Sequence, residues 1–163
     1  MQERIDMQGR LTLRLTDSTG QMIQEQQYRN RIVKTGRQLV AQLFGGIPGT
    51  PPTKVTHIGV GTDNTPAKDD QLGLLAERAS RKPISEVSYS DIVENPGTPN
   101  EVRRVKASLT AIFDFNDANG SAPLQEAAIF TADTGGIMYN RVVFEPVTKT
   151  SAFKLTLLWD IIF

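Results

Sequence analysis

The C-terminal stretch constrains the fold most. Leu155, Leu157 and Trp159 alternate with Lys154, Thr156 and Leu158, and Ile161 and Phe163 continue the first set in phase. Successive side chains of an extended strand point to opposite faces, so a period of two reads as a strand with one face in a core. The same alternation occurs at Leu11, Leu13 and Leu15 against Thr12, Arg14 and Thr16. Further strands are predicted near 102–115, 124–131 and 137–146, with the last at 151–163. Turn chemistry separates them, as Asn116-Asp117-Ala118-Asn119-Gly120 and Asp133-Thr134-Gly135-Gly136. Several strands between such turns, with no repeating helix, predict a mainly β chain: an antiparallel β-sandwich, Greek-key or jelly-roll-like.

One helix is expected. Ile32, Val33, Leu39, Val40, Leu43 and Phe44 fall near helical spacing, and Gly45-Gly46 supplies a stop. These signals place the helix at residues 34–44, with Gly36 the weak point of its first turn. Ahead of it, Asp17-Ser18-Thr19-Gly20 turns the first strand back into residues 22–28, an N-terminal β-hairpin with a mostly polar second arm. Such a hairpin must lean on the domain or on a neighbour. The chain is therefore divided into a hairpin or arm at 1–28 and a single β-sandwich domain at 29–163. Between the helix and the later strands we expect a stiff loop at 47–53, a strand at 54–61, a short helical turn near 69–75 and an extended run over about 78–89.

Composition subtracts functions. Among 163 residues there is no cysteine and one histidine, which removes a disulfide framework, thiolate chemistry and a multi-histidine metal site. Eighteen basic and eighteen acidic residues cancel, so no global field draws the chain to nucleic acid. Residues 1–50 nevertheless carry seven basic and four acidic side chains, 7 − 4 = +3, against −3 for the remainder. That polarity suits like subunits stacked head to tail. No stretch approaches the roughly 20 apolar residues of a membrane helix, and residues 1–8 lack the apolar segment of a secretory signal. A soluble protein made in a cytosol, without membrane contact, is the expectation.

Each reactive pattern fails for a stated reason. Gly59-Val60-Gly61 follows a strand, but a turn, Asp63-Asn64-Thr65-Pro66, replaces the third glycine and helix that dinucleotide binding needs; close backbone approach explains the glycines. A calcium loop opening at Asp114 would put Ala118 fifth, Asn119 sixth and Gln125 twelfth, against the required oxygen ligand, Gly and Glu. A hairpin loop with Asn and Gly at positive φ is the reading preferred. His57 lies mid-strand, and no Gly-x-Ser-x-Gly elbow accompanies it. No pair of carboxylates is singled out for acid–base work. The basic clusters Arg78, Arg81, Lys82 and Arg103, Arg104, Lys106 lack interleaved aromatics and are diluted by Glu77, Glu86 and Glu101. Trp159, in phase with Leu155 and Leu157, reads as core rather than a sugar-stacking platform. No catalytic residue, cofactor or metal is assigned.

The order of features carries more than any one of them. Asn30-Arg31-Ile32-Val33-Lys34-Thr35-Gly36-Arg37 leads into a helix ending at Leu43-Phe44-Gly45-Gly46, and a strand His57-Ile58-Gly59-Val60-Gly61-Thr62 follows. Later come Leu124-Gln125-Glu126-Ala127-Ala128-Ile129-Phe130, a Gly135-Gly136-Ile137-Met138 hairpin, Arg141-Val142-Val143-Phe144, and the closing run from Leu155 to Phe163. Over residues 28–163 this succession resembles small structural proteins and fibre-associated domains of tailed-bacteriophage tails and related contractile injection machines. The resemblance implies assembly rather than catalysis. It implies a virion subunit of the tail, baseplate or neck, made in the host cytoplasm. Such a subunit forms a symmetric homo-oligomer of ring or trimer type and attaches neighbouring tail or fibre proteins. Partner contacts are then expected at Leu11, Leu13, Leu15, Met22 and Tyr28, on an arm that pairs with a neighbour's sheet edge, and at Phe163. Removing residues 1–27 would leave a folded monomer unable to assemble. The alternative is a carbohydrate-binding or host-attachment module, with residues 45–53 and 95–100 as its rim.

Overall fold

Alternation of apolar and polar residues becomes alternation of buried and exposed side chains in three adjacent strands. In a computed structural model of the chain, residues 7–49 and 51–163 are described. Strands β1 (Gln8–Asp17), β6 (Val102–Phe113) and β9 (Phe153–Ile162) lie side by side, with β9 in the middle. Trp159 faces Leu11 on one side and Leu109 on the other; Leu157 faces Leu13 and Ala111; Leu155 faces Leu15 and Phe113. All nine are buried. Directly opposed apolar pairs of this kind are what stabilise a sheet face.

The remaining elements are β2 (Met22–Ile32), α1 (Lys34–Gly45), β3 (His57–Gly61), β4 (Glu77–Pro83), β5 (Glu86–Glu94), β7 (Leu124–Phe130) and β8 (Met138–Val147). The nine strands are antiparallel and run in the order β4-β3-β7-β8-β2-β1-β9-β6-β5. The sheet is curled into a half-barrel. Its two edges, β4 and β5, are joined through Ile84 and Ser85 alone. The Ile84 N–H donates to the Thr56 carbonyl ahead of β3 at 2.8 Å, while the Ser85 N–H donates to the Thr110 carbonyl of β6, also at 2.8 Å. Consecutive residues thus tie to opposite ends of one sheet, and Ile58, Val60, Ile129, Val142 and Phe144 from one half share a core with the β1–β9–β6 face.

A mainly β, antiparallel chain with one helix agrees with the sequence reading, and α1 matches residues 34–44 within one residue. Its stop is Gly46, at φ 73°, whose N–H donates to the Gln42 carbonyl at 2.8 Å. Gly36 is not a weak point but the contact point. The helix crosses β8 there, and a Cβ on Gly36 would collide with the Tyr139 carbonyl. Helix α1 has 12 residues, and no helix among the described residues is long and apolar enough to cross a membrane.

Three expectations need correction. The N-terminal hairpin is no projecting arm: β1 pairs with β9 over ten residues and β2 reaches β8 through Arg31 and Ile32, which places the hairpin in the interior of the sheet. Removing residues 1–27 would therefore strip the strand that covers β9, and β2 runs across the proposed 28/29 boundary. The extended run at 78–89 is two strands, because Ile84 and Ser85 carry the chain between edges. The segment near 69–75 forms a single turn at 69–70, where the Gln71 N–H meets the Lys68 carbonyl, and no helix. Residues 62–76 are an irregular strap, held by side chains described below.

Candidate interaction face

The most demanding polar arrangement lies beneath that strap. Arg141 of β8 and Glu126 of β7 are both fully buried, with Nε donating to Glu126 Oε2 at 2.8 Å. Arg141 Nη1 also donates to the Thr65 carbonyl at 2.8 Å and to Gln71 Oε1 at 3.2 Å, and Nη2 approaches Asp63 Oδ1 at 3.3 Å. Glu126 in turn accepts the backbone N–H groups of Ala76 at 2.8 Å and Leu75 at 3.1 Å. A buried ion pair is tolerable when every proton and lone pair is used, and here the strap supplies the missing partners. Gly61 makes room for it: a Cβ there would meet the Ala76 carbonyl and the Glu126 carboxylate. Close backbone approach, the reading given to this glycine pair, holds at Gly61, whereas Gly59 makes room for the Glu77, Arg81 and Leu74 side chains. The middle of the strap is held to α1 by Arg37, bidentate to Asp69 at 2.8 Å for each bond. The hydrogen bonds from Arg37 hold the Asp69 carboxyl below its ordinary range, as the Thr65 N–H does for Asp63. Sealed from solvent, the Arg141–Glu126 pair fastens a loop.

The other charged clusters also find partners within the chain, some of them at the surface. Arg81 grips Glu77 with two bonds, of 2.6 and 3.2 Å, donates to the Ala132 and Gly135 carbonyls, and lies over the Phe130 ring at 3.4 Å. A bulge turns β4 at this point, with Ala79 at φ 60°. Lys82 pairs with Asp117 at 2.7 Å, Arg103 with Glu101, and Arg104 with Glu94. In the 114–120 loop, buried Lys149 donates to Asn119 Oδ1 at 2.9 Å and to the Thr150 carbonyl at 3.1 Å. Lysine ammoniums occupy the surroundings a calcium ion would need, and burial pushes the Lys149 amine below its ordinary range. The loop's positive φ falls on Ala118, at 52°, rather than on Asn or Gly. Gly120 instead lies where a side chain would strike the Arg78 guanidinium. Among the described residues, no three His, Asp or Glu side chains gather as metal ligands.

The six residues expected to contact partners separate cleanly. Leu11, Leu13 and Leu15 are core and present no surface. Tyr28 is half-buried: its ring packs on Phe144 with centroids 5.9 Å apart, and its hydroxyl donates to Gln26 while accepting the Glu145 N–H at 3.3 Å. Met22 and Phe163 are exposed. Trp159 is buried with its indole N–H on Asn30 Oδ1 at 2.8 Å, as expected of core and not of a sugar platform.

Exposed apolar surface gathers instead along β5 and α1. Val87 faces Leu109 and Tyr89 faces Ala107 across the β5–β6 ladder, so both continue the core-facing side of the sheet. Yet Val87 is half exposed and Tyr89 is 74% exposed: the face that is core under Trp159 runs out into solvent at β5. Opposite, α1 offers Leu43 and a 96%-exposed Phe44. Between them runs an apolar trough of about 220 Å³ walled by Leu39, Val40, Val55, Leu109 and Ile161, with Tyr89 and Phe163 at its rim. β5 itself bonds to β6 on one side only. It carries no lysine or proline, and its edge charges are the acidic Glu86, Asp91 and Glu94. Phe163 was legible as a surface residue because it ends an in-phase strand; Val87, Tyr89 and Phe44 were missed, because exposed and buried apolar residues share one period.

Compared with protein-family models, curated proteins and solved structures, the chain matches none of them.

Proposed function

We propose that this protein is a non-enzymatic structural subunit that works by association through the β5 edge and its apolar surround. The observation that carries this reading is an unpaired nine-residue edge strand beside exposed Val87, Tyr89, Phe44 and Phe163. A free edge offers unsatisfied N–H and C=O groups in register, and strand addition satisfies them while the apolar band supplies burial.

The assembly we propose is a homo-oligomer of ring or trimer type in the tail, baseplate or neck of a tailed-phage virion, joined to neighbouring tail or fibre proteins. The resemblance of residues 28–163 to such subunits supports it, and the two halves of the curled sheet serve in it as the layers of a β-sandwich. The arm role moves from β1 to β5 on this reading. Hydrogen–deuterium exchange tests the surface: β5 amides should become protected as protein concentration rises, while loop 131–137 stays unchanged. Exchange at β5 that does not depend on concentration or on added tail proteins would refute the assignment.

A further inference from the structure

Strand β5 is not the only open edge. Strand β2 bonds to β1 from Met22 to Asn30, but it reaches β8 only at Arg31 and Ile32. Among the described residues, no strand pairs with the other side of Met22–Asn30, where β8 veers away and meets the Tyr28 hydroxyl at the Glu145 N–H. The five strands β2-β1-β9-β6-β5 therefore form one ladder with an open edge at either end. Each of its four steps is antiparallel. Four reversals restore the direction, so β2 and β5 run the same way.

The two edges carry opposite charge. On β5, Glu94 is held by Arg104, while exposed Glu86 and Asp91 form no ion pair among the described residues. On β2 the one acid, Glu25, is taken by Arg14. Exposed Arg29 and Arg31 form no ion pair among the described residues. Opposite charges facing each other across a ladder are favourable, and like charges are not. Laid against a second β5, the acids would meet acids and no base. Laid against β2, they meet the arginines.

We propose that copies of this chain join head to tail, the β5 edge of one copy pairing in parallel with the Met22–Asn30 edge of the next. The inference rests on the association through β5 proposed above and names its partner, the β2 edge of a second copy. Because β2 and β5 run the same way, a copy set alongside without being inverted presents its β2 parallel to β5, and the ladder continues with evenly spaced, slanted bonds. Half-exposed Met22 and Ile23 on one edge, with Val87 and Tyr89 on the other, add apolar area to the joint. Joining two unlike edges makes the contact heterologous, which closes into a ring or runs on as a filament. The acids that draw β2 also turn away a second β5, so one set of charges supplies both the attraction and the selectivity.

Sedimentation equilibrium of the full chain tests the proposal with charge reversals on each edge. Arg29→Glu should raise the concentration of half-assembly about tenfold, and Glu86→Lys with Asp91→Lys should do the same. Both variants change exposed side chains without ion pairs, so their melting temperatures should match the parent's. All three substitutions in one chain exchange the signs of the two edges, and assembly should return to within about threefold of the parent. If Arg29→Glu assembles as the parent does while the β5 variant does not, β2 is not the partner; this inference falls and association through β5 stands. A β5 variant that assembles like the parent would overturn both. A triple variant that assembles no better than the β5 variant would also overturn the inference, because the edges would then not be matched by charge. A parent that stays monomeric would overturn it together with the homo-oligomer on which it rests.

Discussion

Arg141 and Glu126 show how one pair of side chains holds fifteen residues of irregular backbone. Arg141→Met would leave a fully buried carboxylate without its counter-charge, a change that costs on the order of 3–5 kcal/mol in other proteins. The urea midpoint should fall accordingly, and trypsin should reach Lys68 in the strap faster than in the parent. A midpoint within experimental error of the parent would show that the pair is not holding the strap. Carboxylates set the acid limit of the same architecture. Asp17, hydrogen-bonded by the Thr19 side chain, Asp63, by the Thr65 N–H, and Asp69, by Arg37, all sit below the ordinary carboxylate range. For Asp117 burial pushes upward, but Lys82 and the Asp114 N–H outweigh it. A folded-state pKa below the unfolded value of about 3.9 adds stability that is complete above that value and is lost as pH falls through the folded value. Chemical-denaturation midpoints should therefore be flat from pH 7 to about 5 and fall below about 4. A decline already complete by pH 5 would contradict these assignments.

Helix α1 and strand β5 are the elements whose roles hinge on single positions. Gly36→Ala raises intrinsic helix propensity by up to about 1 kcal/mol, but its Cβ would strike the Tyr139 carbonyl. Backbone does not yield as a side chain does, so the variant should be less stable by about 1–3 kcal/mol, read as a lower melting temperature. A rise would mean that α1 does not rest on β8 there. These two elements also mark what the sequence could and could not say. Period-two alternation located β1 and β9, turn chemistry bounded β6, and helical spacing with a glycine stop located α1, because each pattern follows from local geometry. The one local mark that the run expected at 78–89 breaks at Ile84-Ser85 is Pro83, which cannot donate to a ladder and ends β4. Local pattern also made Leu11, Leu13 and Leu15 look like an arm: alternation reports that one face is buried, not whose core buries it. Glu126 and Arg141 did leave a signal, the one being the only charge in its strand and the other the only basic residue in an otherwise largely apolar one.

At the scale of the molecule, the curled sheet leaves its core face uncovered along β5, beside an edge with no strand bonded to it. Covering that face is the task proposed for a neighbouring subunit. Tyr89→Lys places a charge in the middle of the exposed band, at a position already 74% exposed. The monomer should fold unchanged by circular dichroism while association is lost. Native mass spectrometry of the full chain, beside Tyr89→Lys, tests this most directly. The expected result is one defined multimer for the parent and a folded monomer for the variant. A parent that stays monomeric at every concentration and with every candidate tail protein, or a variant that forms the same multimer, would contradict association through β5.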